Sequence, residues 1–247
     1  GAPTPEWPYP IRYNAVTELD TDVLVIGGGI AGCHAAINAA REGARVIIAD
    51  KGPIKRSGMG GAGVDHWLEA CSNPHSKVTP TQWAERAYQY TSGYCNGPAR
   101  YITARESWAA LLDCEQMGVQ IRDEDDEFAG ASFRDKESKL LFAYDYENRL
   151  HLRVWGNKMK PCLYDELKRL NVTLLERTMI TSLLNEDGVK GARVVGATGV
   201  NNRTGEFYTV TAKAVITASA SPSRIWCFSP EQTGGGGEIL EFNGSGD

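Results

Sequence analysis

The segment Gly27-Gly28-Gly29-Ile30-Ala31-Gly32 spaces its glycines as G-x-G-x-x-G, at positions 27, 29 and 32. That spacing suits the binding of a diphosphate. The first glycine permits a tight turn, the second lets backbone approach a pyrophosphate, and the third lets a helix pack closely on a sheet. A helix opening at Ile30 and Ala31 would present unpaired N–H groups and a positive dipole end to the anion, so no basic side chain is required. Asp50 follows roughly 20 residues later, where a carboxylate can accept hydrogen bonds from ribose hydroxyls and repel a 2′-phosphate. Six residues alone decide little, because glycine-rich turns are common; the competing reading is a strand-turn-helix with incidental glycines.

The flanking elements decide for the nucleotide. Val23-Leu24-Val25-Ile26 is a short apolar run ending in the glycines, and Ile30 to Arg41 is alanine-rich with apolar residues at helical spacing. Arg45 to Asp50 predicts a second buried strand, so a right-handed βαβ unit with parallel strands is expected. Thr81 to Tyr90, Ala99 to Met117 and Lys158 to Leu170 read as helices, with Gly118 closing the second. Val172 to Glu176 reads as a strand. Thr178 to Leu184, Ala192 to Val200 and Glu206 to Thr211 are strands separated by the turns Asn185-Glu186-Asp187-Gly188 and Asn201-Asn202-Arg203-Thr204-Gly205, hence an antiparallel meander. A last apolar strand is expected over Ala214 to Ala218. The charged stretch Arg122 to Tyr146, with Asp123-Glu124-Asp125-Asp126-Glu127, is expected to be a solvated loop. Pro3, Pro5, Pro8 and Pro10 make regular structure improbable before residue 20, so residues 1–20 are expected to form an extended arm ahead of a nucleotide-binding domain over 21–247.

Composition excludes several classes. The chain has 247 residues, 42% of them hydrophobic, enough for a real core. Its net charge of −5, from 31 acidic and 26 basic residues, argues against a nucleic-acid partner. Cys33, Cys71, Cys95, Cys114, Cys162 and Cys227 lie apart without metal-ligand spacing, so no metal site is expected and the thiols are read as reduced, as in the cytoplasm. No apolar run approaches the roughly 18 residues that span a bilayer, so direct membrane insertion is not expected.

An early βαβ unit with a late meander, closed by Lys213-Ala214-Val215-Ile216-Thr217-Ala218-Ser219-Ala220, resembles a glutathione-reductase-like FAD domain. The resemblance implies an α/β, Rossmann-like FAD-binding fold with a parallel sheet, a helical insertion, and the meander lying over the sheet. Lys51-Gly52-Pro53-Ile54-Lys55-Arg56-Ser57-Gly58 is similar to flavoprotein subunits of the fumarate reductase and succinate dehydrogenase superfamily, where an Arg-Ser pair enters the flavin site. Within it the chain is most similar to adenylylsulfate reductase, through Lys55 to Gly58, Lys160-Pro161, and the stretch ending Gly244-Ser245-Gly246-Asp247.

From this resemblance follow several expectations. FAD would be held by Gly27, Gly29, Ile30, Ala31, Gly32, Asp50, Lys51, Arg56, Ser57, Gly58, Gly60, Gly61, Ala218, Ser219 and Asp247, with backbone near Met179 and Ile180 at the adenosine. Quinone-linked members attach FAD through a histidine directly after the Arg-Ser pair; Gly58 stands there, implying non-covalent FAD. The family usually ends its last strand Ala-Thr-Gly-Gly, against Ala218-Ser219-Ala220-Ser221 here. Met59, Ala62, His66 and Trp67 are further candidates near the flavin. His66 could donate a proton or bind an anion, and equally could be a histidine without chemistry. Trp226 and Cys227 fall where related adenylylsulfate reductases present contacts to flavin or to the iron–sulfur partner, and Trp226 suits core packing better than electron transfer.

The implied activity is hydride or electron-pair transfer between flavin and a small anionic substrate, with electrons exchanged through an iron–sulfur partner subunit. The superfamily's substrate cations come mainly from a capping domain expected to begin near Asp247, so the remainder of the flavoprotein chain is itself an expected partner. A self-contained flavoenzyme acting on an organic acid, of the soluble fumarate reductase or amino-acid oxidase type, and a non-catalytic nucleotide-binding fragment are the alternatives.

Overall fold

A computed structural model describes residues 6–220. The chain divides into two compact units, Gly1–Gly61 with Leu163–Asp247, and Ala62–Cys162.

The first unit is built on strand β1 (Val16–Ile26), helix α1 (Ile30–Arg41) and strand β2 (Val46–Ala49). In β2 all four residues are buried, as expected of a parallel strand covered on both faces. Helix α1 buries Gly32, Cys33, Ala36 and Ile37, two neighbouring pairs four residues apart, which form one stripe. It stops where Gly43 takes φ +86° and donates to Ala40, a left-handed exit that glycine makes without strain.

Strands β5 (Thr173–Leu175), β6 (Thr178–Asn185), β7 (Val194–Asn201) and β8 (Phe207–Thr217) complete a six-stranded sheet of order β5-β2-β1-β8-β7-β6. β5, β2, β1 and β8 run parallel, and β8, β7 and β6 are antiparallel. Its core joins Leu24, Ile47 and Ala49 to Ala197, Val210 and Ala212. Burying Leu24, Ile47 and Val210 contributes about 1.5–3 kcal/mol of hydrophobic stabilisation each, and the alanines less.

Three expectations change here. The region expected to lack regular structure before residue 20 already forms β1 from Val16, because Val16 to Asp20 pair with Phe207 to Thr211. The strands expected at Glu206 to Thr211 and Ala214 to Ala218 are one strand, since nothing at Ala212-Lys213 interrupts extended backbone and β1 pairs alongside. The meander is therefore hydrogen-bonded into the same sheet as the parallel strands through β8, instead of lying over that sheet as a separate layer. Ahead of β1, residues 7–12 lie against the β7–β8 turn: Trp7 donates to the Arg203 carbonyl at 2.8 Å, and Tyr9 stacks 5.0 Å from the Arg203 guanidinium.

The second unit is the helical insertion, with short strand β3 (His66–Trp67), helices α2 (Pro80–Tyr90) and α3 (Gly97–Gln116), and short strand β4 (Leu152–Arg153). Thr79 and Gln82 form a reciprocal capping box at the start of α2, with Pro80 in the first turn. Asn96 caps α3, and Gly118 at φ +96° follows its end. A further helix, α4 (Met159–Arg169), buries Met159, Leu163 and Leu167 at four-residue spacing.

The charged stretch is only partly a solvated loop. Asp123 is buried and pairs with Arg134 at 2.7 Å while accepting from the Phe128 N–H, so that end of the loop is anchored from within. Glu124 to Glu127 are exposed.

Candidate nucleotide site

The glycine turn joins β1 to α1, and its geometry explains each glycine. Gly27 has φ +102°, and a Cβ there would meet the Ala218 carbonyl oxygen at 2.3 Å. A Cβ on Gly32 would lie 1.8 Å from the Gly27 carbonyl oxygen, so only glycine lets α1 sit this close to the turn. Gly29 is the N-cap, extended and without a side-chain cap. The first intrahelical bond is Cys33 N–H to Gly29 O at 2.9 Å, which leaves the N–H groups of Ile30, Ala31 and Gly32 without acceptors within the helix. Among the described residues a Cβ on Gly29 would meet only the Gly58 Cα, at 3.7 Å, so none of their side chains fills the space beside the cap.

Asp50 closes the turn from the other strand. Its Oδ2 accepts the Gly28 N–H and its Oδ1 the Gly52 N–H, each at 2.6 Å. A carboxylate has about four lone-pair sites, so acceptor capacity remains for a ribose hydroxyl. The Asp50 main chain accepts from Thr178 at 2.8 Å, Gly52 accepts from Arg177 at 3.1 Å, and the Lys51 carbonyl accepts from Asn202 at 2.6 Å. These bonds bring the start of β6 against the end of β2. Met179, exposed, and Ile180 follow directly and pair with Val200 and Gly199.

The segment after β2 folds back onto the glycine turn. It contains two single 3-10 turns, Ile54–Arg56 and Met59–Gly61. The Ser57 hydroxyl donates to the Gly28 carbonyl at 3.0 Å, and the Arg56 guanidinium to the Gly61 carbonyl at 3.3 Å. Gly60 and Gly61 are buried, and a Cβ on Gly61 would lie 1.9 Å from the Arg56 carbonyl oxygen. Gly58 has φ +79°, and a Cβ on it would be 2.7 Å from the Gly29 Cα. A histidine at position 58 is therefore incompatible with this backbone on two counts, conformation and contact.

The end of β8 completes the arrangement. Ala218 donates to Ile26 O at 2.7 Å and packs its backbone on Gly27. Ser219 is exposed, and Ala220 takes φ +73°, a conformation that favours glycine.

Gly27, Gly29, Ile30, Ala31, Gly32, Asp50, Lys51, Arg56, Ser57, Gly58, Gly60, Gly61, Ala218 and Ser219 all belong to this one unit. Ala62, His66 and Trp67 belong to the other, where the Trp67 indole donates to the Ser107 hydroxyl at 2.9 Å. Asp247, Trp226 and Cys227 lie outside the described residues. Sequence reasoning missed Gly28 and Gly52 as donors to Asp50, and Glu176, whose carboxylate accepts the Ile54 N–H at 2.7 Å. Gly28 and Glu176 carry no local signal, because their bonds join segments that meet only in the fold, whereas the Gly52 bond to Asp50 spans two residues and is the local turn that an Asp-x-Gly sequence favours. Among the described residues no helix is long and apolar enough to cross a membrane.

Several known proteins are similar to this chain. A fumarate reductase (CoM/CoB) subunit of Methanothermobacter marburgensis is 30% identical over 237 residues, which is 92% of this chain and 40% of that protein. L-aspartate oxidase of Vibrio cholerae is 29% identical over 93% of this chain and 43% of that protein. The alpha subunit of the Megalodesulfovibrio gigas adenylylsulfate reductase is 23% identical over 90% of this chain and 34% of that protein. The solved adenylylsulfate reductase of Archaeoglobus fulgidus has a similar fold, with a TM-score of 0.73 at 23% identity over 96% of this chain and 37% of that chain. The chain thus spans about 40% of the length of such relatives. The model of the FAD binding domain matches residues 22–244, and with a cradle whose glycines, first-turn N–H groups and strand-end carboxylate suit that dinucleotide, the chain belongs to this FAD-binding family.

Proposed function

We propose that this chain is the FAD-binding portion of an oxidoreductase that moves an electron pair, or a hydride, between flavin and a small anionic substrate. The observation that carries it is the uncapped start of α1 beside the Asp50 carboxylate, in a chain that the FAD-binding family model matches over nearly its whole length. FAD would supply the two-electron chemistry. The chain's residues would position it. Ile30, Ala31 and Gly32 N–H groups would bind the diphosphate, Asp50 a ribose hydroxyl, and Arg56 to Gly61 would line the flavin end, with Met179 and Ile180 backbone near the adenosine.

Non-covalent attachment is part of this reading, supported by the fit of Gly58 against Gly29. An iron–sulfur electron partner is favoured by the similarity to the fumarate reductase and adenylylsulfate reductase chains, both of which are named as subunits. A self-contained flavoenzyme is the second reading, favoured by similarity to L-aspartate oxidase. Substrate cations and much of the water exclusion that strengthens charge interactions at a flavin would come from polypeptide beyond this portion.

Reconstitution tests the first claim. Purified chain titrated with FAD should bind it weakly but saturably, and should release all flavin on acid or heat denaturation. Flavin that stays with the denatured chain would overturn non-covalent binding, and absence of any flavin binding would overturn the reading as a whole.

A further inference from the structure

Residues 7–13 run ahead of β1 and are all exposed, so they add nothing to the core. Their contacts outside the arm converge on residues 203–206, in the turn between β7 and β8. The Trp7 indole donates to the Arg203 carbonyl at 2.8 Å, and the Arg12 N–H to the Thr204 carbonyl at 2.7 Å. The Arg203 guanidinium lies 5.8 Å from the Trp7 ring and 5.0 Å from the Tyr9 ring, and the two rings pack on one another at 5.5 Å. The Tyr13 ring covers Gly205, where a Cβ would meet a ring carbon at 2.2 Å, and the Arg12 guanidinium is 3.6 Å from the Glu206 carboxylate.

The turn does not need the arm in order to close. Asn201 closes it from within: its Oδ1 accepts the N–H groups of Arg203 at 2.8 Å and Thr204 at 3.1 Å, and its carbonyl accepts the Gly205 N–H at 2.8 Å. What the arm adds is the placing of Asn202, which joins two other segments. Its Nδ2 donates to the Lys51 carbonyl at 2.6 Å and its N–H to the Arg177 carbonyl at 2.7 Å. Lys51 directly follows Asp50, and Arg177 precedes Thr178, whose N–H donates to the Asp50 carbonyl at 2.8 Å. Asn202 therefore clips the end of β2, with Asp50, to the start of β6, with Met179 and Ile180.

We propose that residues 7–13 form a strap that holds the β7–β8 turn against the ends of β2 and β6, making Asn202 a positioning residue for the adenosine end of FAD. This inference deepens the proposed function and rests on it for where the adenosine sits. Arg203 Nε is buried and, among the described residues, has no hydrogen-bond partner, which offsets part of what the ring contacts contribute. The closed strap is thus only marginally favoured, and a bound nucleotide can shift it. Coupling of this kind is reciprocal: a strap that tightens FAD is tightened by FAD to the same factor.

The test compares the whole chain with Trp7→Ala, Asn202→Ala and the double variant, each titrated with FAD and, in competition, with ADP. Trp7→Ala should weaken FAD about threefold and Asn202→Ala about tenfold, and ADP, which shares the adenosine half, should lose the same factors. Because the strap works through Asn202, the double variant should bind FAD no more weakly than Asn202→Ala alone. Trp7→Phe keeps a ring beside Arg203 and should recover part of the loss. Amide exchange supplies a readout that needs no ligand: Trp7→Ala should unprotect the Asn202 and Thr178 N–H groups while those of β1 and β8 stay protected, which general destabilisation would not do. A parent that binds FAD and ADP, with a Trp7→Ala chain that binds them equally well or a double variant whose losses simply add, overturns the strap alone. Unchanged exchange at Asn202 in Trp7→Ala overturns it too. A parent that binds neither nucleotide overturns the flavoprotein reading and, with it, the adenosine role of Asn202.

Discussion

Replacing Gly32 with alanine should break both the packing of α1 and the binding of FAD, for one geometric reason. The new Cβ would lie 1.8 Å from the Gly27 carbonyl oxygen. An ordinary carbon–oxygen contact is about 3.4 Å, so α1 must retreat from the turn by roughly 1.6 Å. The obstacle is backbone, and Gly27 is itself fixed by its hydrogen bond to Ala49 and by the Ala218 carbonyl against it. Retreat also loosens Cys33, Ala36 and Ile37, which α1 buries. Overpacking of this kind costs about 3 kcal/mol, which lowers the Tm of a chain this size by roughly 6–12 °C.

The N–H groups of Ile30 and Ala31 move with the helix, and losing two charge-assisted hydrogen bonds of about 1.5 kcal/mol each weakens FAD by roughly a hundredfold. Two companion variants isolate the cause. Gly29→Ala finds only the Gly58 Cα at 3.7 Å, so the free chain should melt like the parent while FAD affinity falls. Gly97→Ala has nothing within 4 Å and should change neither. Thermal melts without FAD and flavin fluorescence titrations read the two effects separately. A Gly32→Ala chain that melts within about 1 °C of the parent and binds FAD equally well would refute the reasoning.

Two further outcomes follow from single groups. Ala220→Gly should raise stability by about 0.5–1 kcal/mol, because φ +73° strains alanine and not glycine; an unchanged or lower Tm would count against the strain. Glu166 accepts from Arg169 at 2.6 Å and from Arg41 at 3.0 Å, and these bonds, Arg169 first, hold its carboxyl at about 2. Its folded pKa lies below its unfolded one, so its contribution of about 1 kcal/mol is complete above the ordinary value of 4.5 and is lost as pH falls from there to about 2. Chemical denaturation across that window should show Glu166→Gln losing less stability than the parent, and parallel curves would contradict the assignment.

What the sequence made legible depended on how local the cause was. The β1-α1-β2 unit could be read because the glycine spacing, the alanine-rich stripe and the all-apolar β2 each report on their own neighbourhood. The extension of β1 back to Val16 could not, since Val16 to Asp20 mix polar and apolar types. What makes them a strand is pairing with Phe207 to Thr211, at the far end of the chain. β3 and β4, two residues each, are too short to show a period, yet they place His66 opposite Arg153. The same distinction runs through the site. Gly27 and Gly32 are demanded by a turn that the motif itself encodes, whereas Gly58, expected at the flavin from the resemblance alone, is demanded by Gly29, an element away. Asp50 shows the limit most clearly. Its place at the end of β2 marks it as a ribose ligand, but its bonds to Gly28 and Gly52 make it also the clamp that shapes the turn. A residue with two tasks displays only one of them in its spacing, and the second becomes visible when the segments it joins are brought together.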